Sequence, residues 1–338
     1  MAKLKRGRQS FFLPDPPVIT AWASIAGKKE GQGPLANFFD MISQDPYFGE
    51  KTWEQGEKRL QQLALETLVN KANMELTELD LVCSGDLLNQ CIGSSFSLRN
   101  QDIAHLGLYG AYSTMAESLL VASMMVGGGY ADRVAAMTSS HFASSERQYR
   151  FPLGYGGQRP PTAQWTVTGS GAALVCSNGK GPKIESCTVG TVCDLGITDA
   201  NNMGAAMAPA AYGTIRAHLD DLSAAPEDFD RIVTGDLGQL GAELLMELAR
   251  RDGISLGGKL MDCGTMIFEA DQDVHAGGSG CGCSAVTLCG RFLPDLASGK
   301  LKRILFCGTG ALLSPTSTQQ GLPIPGICHA VSIRSGRD

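Results

Sequence analysis

The segment from Ser139 to Arg159 holds a dense set of groups able to meet an anion: Ser139, Ser140, His141, Arg147, Tyr149, Arg150, Tyr155 and Arg159. Arginine suits that task, because its planar fork offers one carboxylate two parallel hydrogen bonds. His141 follows an apolar run, where a parallel strand would end and where open α/β sheets place their ligands. A structural role competes: Arg147 and Arg150 can pair with Glu146, or with a neighbouring subunit, and hold a loop. Asp86, Asn89 and Asp236 also fall at strand ends. They can position water, a calcium ion or a ligand, or cap the turn that follows. The run Gly277-Gly278-Ser279-Gly280 can turn backbone N–H groups towards an anion, or simply make a tight turn. His105, His218, His275 and His329 have no recognisable partner and read as structural or surface groups. The eleven cysteines include no C-x-x-C pair. That argues against zinc and for reduced, buried thiols. No metal and no cofactor is expected.

These side chains need elements to position them, and the pattern alternates strand and helix. Thr52 to Ala72 reads as a helix, with Thr52 and Gln55 in a capping box and Leu60, Leu63, Ala64 and Leu68 on one face. Leu79–Ser84 reads as a buried strand. Thr114–Val126 reads as a second helix, stopped by Gly127, Gly128 and Gly129, and Arg133–Thr138 as a second strand. The order then recurs. Asp80 to Leu87 is D-L-V-C-S-G-D-L and Asp230 to Leu237 is D-R-I-V-T-G-D-L. Gly110-Ala111-Tyr112-Ser113 precedes one helix, and Gly282-Cys283-Ser284-Ala285 precedes another. Arg133 and Arg303 open matching strands. This predicts an internal duplication, with halves over 1–178 and 179–338 packed as one layered α/β body. Right-handed crossovers would make both sheets mostly parallel.

With 338 residues, 43% hydrophobic and 18% charged, the chain can bury a large core. A formal net charge of −6 disfavours a nucleic-acid binder. The longest apolar stretches, such as Leu119–Val126, are too short to span a bilayer. The N-terminus carries Lys3, Lys5, Arg6 and Arg8 beside Phe11 and Phe12. It reads as a solvated tail rather than a secretory signal.

Longer blocks carry a resemblance. They are Ser84-Gly85-Asp86-Leu87-Leu88-Asn89-Gln90, Thr138-Ser139-Ser140-His141, Glu146-Arg147-Gln148-Tyr149-Arg150, Thr166-Val167-Thr168-Gly169-Ser170-Gly171-Ala172, Asp194-Leu195-Gly196-Ile197-Thr198-Asp199, Ala276-Gly277-Gly278-Ser279-Gly280-Cys281 and Gly308-Thr309-Gly310-Ala311-Leu312-Leu313-Ser314-Pro315. From about Trp22 to Ser314 the chain resembles the stage V sporulation protein AD family, on a thiolase-like fold with layers αβαβα. The resemblance implies a protein that binds dipicolinic acid, or its calcium chelate, for uptake into the developing spore. It further implies membrane-embedded partners of the same transport system, a cytoplasmic place peripheral to the spore inner membrane, and a homodimer. The family usually carries Cys at Tyr112, the nucleophile position of condensing enzymes, and those enzymes bring a His near Thr234-Gly235-Asp236-Leu237. A phenol cannot do acyl-thioester chemistry at that place, and Asp236 would repel an enolate. The expected site is therefore non-catalytic, with Tyr112, Ser140, His141, Arg147, Arg150, Asp86, Asn89, Asp236 and Gly278 as ligand contacts. One alternative is an acyltransferase using Cys283. Another is a scaffold whose pocket Tyr112 plugs.

Overall fold

The computed structural model describes residues 4–154 and 158–337. Lys3 and Tyr155 lie outside the described residues. Ten of the thirteen strands of the principal sheet form its continuous path: β1 (Val18–Ala26), β2 (Leu81–Gly85), β3 (His105–Gly107), β4 (Arg133–Ser140), β5 (Gly169–Cys176), β6 (Lys183–Thr188), β7 (Arg231–Thr234), β8 (Leu260–Asp262), β9 (Arg303–Ala311) and β10 (Gly326–Arg334). Their spatial order is β8-β7-β9-β10-β6-β1-β5-β4-β2-β3. Read outward from the β6–β1 junction, both halves have the same order of strands.

The register repeats as well. Val82 pairs with Ala135 in parallel, and Ile232 pairs with Leu305 in parallel. Arg133 lies opposite Cys176, and Arg303 opposite Arg334. The sheets are mixed, however, not mostly parallel. In the first half β2 runs parallel to β3 and β4, while β5 runs antiparallel to β4 and β1. The connection into the returning strand holds only the five-residue helix Phe142–Glu146, too short for a crossover, and the strand comes back as an antiparallel neighbour.

Alternation along the strands sorts the core into layers. Outward residues Val82, Ala135 and Met137 pack on Leu60, Ala64 and Leu68 of helix α1 (Trp53–Ala72). Ile232, Leu305 and Cys307 pack on Met207, Ala211 and Ile215 of the helix Met203–Leu222. The other faces, with Cys83, Ala136, Val233 and Phe306, close on helix α2 (Thr114–Gly127) and on the helix Cys281–Thr287 between the sheets. The result is five layers. The α1 start is as expected, with Thr52 Oγ1 accepting from the Gln55 N–H at 3.3 Å, while Leu63 is only half-buried.

Two sequence expectations change. The basic N-terminus is not a loose tail. Ser10–Phe12 adds to the edge of β6, and one Asp221 carboxylate accepts from the N–H groups of Arg8, Gln9 and Ser10. The second echo is also offset. The Ser113 N–H donates to Gly110 O at 3.0 Å, and the Cys283 N–H donates to Gly280 O at 2.9 Å. Gly110 therefore matches Gly280, not Gly282, and Cys283 matches buried Ser113. Among the described residues no helix is long and apolar enough to cross a membrane.

Candidate functional site

The turn before α2 positions the side chain at the junction of the halves. Ala111 is left-handed at φ 49°, which a residue with a Cβ rarely adopts. The turn is locked by the Ser113 hydroxyl on Gly110 O at 2.7 Å and the Thr114 hydroxyl on Ala111 O at 2.6 Å. Tyr112 thereby faces the second half, and its hydroxyl donates to Met203 Sδ at 2.9 Å. Burial, with Asp236 nearby, holds the phenol well above its ordinary pKa, so it stays protonated.

Tyr112 borders a cavity of about 210 Å³. One wall comes from the short helix α3 (Phe142–Glu146) and the turn that extends it. Phe142, Ser145, Glu146, Tyr149 and Arg150 all face the space, at helical spacing. The other half supplies Met203 and Ala311. Two guanidinium groups line the cavity. Arg150 Nε lies 3.2 Å from Glu146 Oε2, and the second oxygen of Glu146 accepts from the Thr166 hydroxyl at 2.9 Å. Arg159 Nη2 donates to Asp273 O at 2.6 Å, and its guanidinium lies 4.9 Å from the Trp165 ring centre. Arg159 Nη1 is buried without a hydrogen-bond partner, and so is the Ser145 hydroxyl. Both atoms are closed off from solvent, and leaving a buried donor unpaired is costly. Gln164 closes the floor, donating to Asp236 O and Gly278 O at 2.8 Å each. No histidine and no cysteine lines the cavity among the described residues.

The sequence-derived contacts divide sharply. Tyr112 and Arg150 border the cavity; the others do not. His141 is 2% exposed. Its Nε2 is 2.7 Å from Pro46 O, and its Nδ1 accepts from the Ser144 N–H at 3.4 Å, so it caps α3 with both nitrogens engaged. Ser140 donates to Val167 O at 2.6 Å and accepts from the Gly282 N–H at 3.0 Å. Arg147 points outward, paired with Glu54 at 3.0 Å. Asp86 is fully buried and accepts from Leu88 N and from Ser94 N and Oγ; burial raises its pKa. Asn89 is exposed, on the rim of a neighbouring groove. Asp236 is buried, accepting from the Thr309 hydroxyl and the Gly280 N–H at 2.8 Å each; burial drives its pKa well up. Gly278 pairs with Trp165 in a short two-stranded ladder, so its run is a packed strand rather than an anion cradle. Cys283 is wholly buried inside a helix of the central layer, and burial pushes its thiol well above the ordinary value. It has neither access nor thiolate character.

Sequence reasoning named Arg159 and Tyr149 only as members of a segment, and missed Ser145, Gln164 and Met203. The helical spacing 142, 145, 146 and 149 was the available signal for most of that wall, which Gln148 and Arg150 complete. It would also have excluded Arg147. Among the described residues no group of three or more His, Cys, Asp or Glu is arranged to hold a metal ion.

A sequence profile of the stage V sporulation protein AD family matches residues 7–334. The chain belongs to that family. It is 44% identical over 325 residues to stage V sporulation protein AD of Bacillus subtilis (strain 168), covering 96% of each chain. Its fold is similar to 3-oxoacyl-[acyl-carrier-protein] synthase III from Aquifex aeolicus VF5. That match has a TM-score of 0.58 and 14% identity, over 94% of this chain and 99% of the other. It is also similar to OleA from Xanthomonas campestris, with a TM-score of 0.59 and 15% identity, over 94% and 96% of the two chains. The architecture is therefore that of the condensing enzymes, with Tyr112 standing on the left-handed turn at the junction.

Proposed function

We propose that this member of the family is a non-catalytic receptor for dipicolinate, a flat pyridine ring with two carboxylates. The observation that carries the reading is the pairing of two guanidinium groups, Arg150 and Arg159, in one cavity beside the rings of Tyr112 and Phe142. Each carboxylate would meet one guanidinium, and the ring would lie against the aromatic wall. Tyr112 and Met203, joined by the phenol's hydrogen bond, both border the space rather than close it off. Among the described residues the phenol is protonated, Cys283 is buried, and neither thiol nor imidazole lines the cavity, which speaks against acyl transfer through a cysteine.

Within this proposal the receptor serves uptake of dipicolinate, free or as its calcium chelate, into the developing spore. It would act at the cytoplasmic side, peripheral to the inner membrane, beside membrane-embedded subunits of the same system. A homodimer is part of the proposal, by analogy with the fold.

Titration calorimetry with dipicolinate tests the reading. Arg159→Ala and Arg150→Ala should each weaken binding by roughly tenfold or more, the loss of a charge-assisted hydrogen bond of ~1.5–3 kcal/mol. Arg147→Ala, on the outer face, should leave affinity unchanged. Absence of binding by the unaltered chain, with and without Ca²⁺, would refute the proposal.

A further inference from the structure

The inner cavity shares a wall with a second hollow. The outer groove, of about 290 Å³, is bordered by Leu88, Asn89, Gln90 and Cys91 on one side and by Leu312, Ser314 and Pro315 on the other. Leu87, Tyr109, Tyr149 and Leu313 border both spaces. Two of them aim at one atom. The Tyr109 hydroxyl donates to Leu313 O at 3.4 Å, and the Tyr149 hydroxyl donates to the same oxygen at 3.3 Å. Hydroxyl donors ordinarily sit at ~2.7–2.8 Å, so both bonds are long and weak. The two rings are 47% and 44% exposed, and neither belongs to a core cluster. Each can swing outward without opening the core. The donors stand on the first half and the acceptor on the second: Tyr109 follows β3, Tyr149 follows α3, and Leu313 follows β9.

We propose that Tyr109 and Tyr149 form a gate latched on Leu313 O, through which the occupant of the inner cavity enters from the outer groove. The latch spans the two halves, so a small shift between them would release both bonds together. Neither hydroxyl can donate to a ligand while it holds Leu313 O. The gate would therefore set the rate of exchange rather than the affinity. The inference rests on the inner cavity being a ligand site, and a two-part test separates the two ideas.

The first part needs no ligand. Ser145→Cys places a thiol inside the inner cavity, and its alkylation by iodoacetamide is followed by peptide mass spectrometry. Adding Tyr109→Phe and Tyr149→Phe keeps the rings and removes the latch. The labelling rate should rise roughly tenfold, as expected for two weak hydrogen bonds. An unchanged rate overturns the gate, whatever the ligand. The second part uses stopped-flow mixing with dipicolinate and the two Phe changes alone. Association and dissociation rates should rise together by a similar factor. A change confined to dissociation means that the hydroxyls hold the ligand, and overturns the gate. Faster labelling without any dipicolinate binding supports the gate and rejects dipicolinate as the occupant.

Discussion

Glu57 carries a carboxyl into a dry part of the first half. It is fully buried against the hydroxyls of Ser139 and Ser144, and burial, with Asp86 nearby, raises its pKa to about 8. The folded state therefore holds that proton more tightly than the unfolded chain does. The stability linked to it is present below the unfolded carboxylate range and is lost as pH rises towards 8. Glu30, raised to about 7 by burial, adds in the same sense. His218, buried and lowered to about 3, acts in the opposite direction: its contribution is lost as pH falls below the ordinary histidine range. Glu57→Gln should thus flatten the loss of melting temperature as pH rises from 4.5 to about 8, while the limb below that range is unchanged. Thermal denaturation across that range checks it; an unaltered alkaline limb would show that Glu57 is not the group responsible. His141 was expected at the ligand because a histidine at a strand end is visible in sequence. Its two partners, the Pro46 carbonyl and the Ser144 N–H that donates to its Nδ1, are not.

Elements repeat their fastenings as well as their order. Asp80 Oδ2 accepts from the N–H groups of Asp132 at 2.7 Å and Arg133 at 2.9 Å. Asp230 Oδ2 does the same for Lys302 and Arg303, the latter at 3.0 Å. Each aspartate pins the start of the next parallel strand. Asp230→Ala leaves two strand-entry donors unpaired, and should lower stability by about 1–2 kcal/mol in urea titration; Asp80→Ala should have a similar effect, because the geometry is the same. A loss in one half only would argue that the repeat is cosmetic. The repeat was legible as D-L-V-C-S-G-D-L and D-R-I-V-T-G-D-L, since alternation and a terminal aspartate are local properties. The mixed direction of the strands was not legible, because direction depends on which neighbour β5 and β10 join after a long return.

At the scale of the molecule the halves are interlocked rather than apposed. Helix α2 of the first half packs against β9 and β10 of the second as well as its own strands. The fit is close: a Cβ on Gly310 would lie 2.4 Å from Gly110 O, and one on Gly171 would lie 2.5 Å from the backbone of Ala285. Each half thus leaves one apolar sheet face uncovered without its partner. A fragment of residues 1–178 should fail to fold, and the whole chain should unfold in one transition. Circular dichroism of the fragment checks this; a stable, cooperatively folded fragment would contradict it. Gly310→Ala should cost about 1–3 kcal/mol or shift the turn that carries Tyr112.

The sequence alone determined the alternating α/β plan, its duplication, the phenol on the turn before α2, and the segment supplying the arginines. All of these follow from local periodicity, from the short internal echo, or from the longer blocks that carry the family resemblance. Tertiary structure alone decided which face of that segment meets the cavity. It sent Arg147 to solvent and Arg150 inward, enclosed Asp86 and Asp236 in hydrogen bonds, and shifted the second echo by two residues so that Cys283 lies in the core. The physical reason is that a side chain's neighbours across a layered body come from distant chain positions. Burial, and the partners it brings, then choose among roles that residue type leaves open.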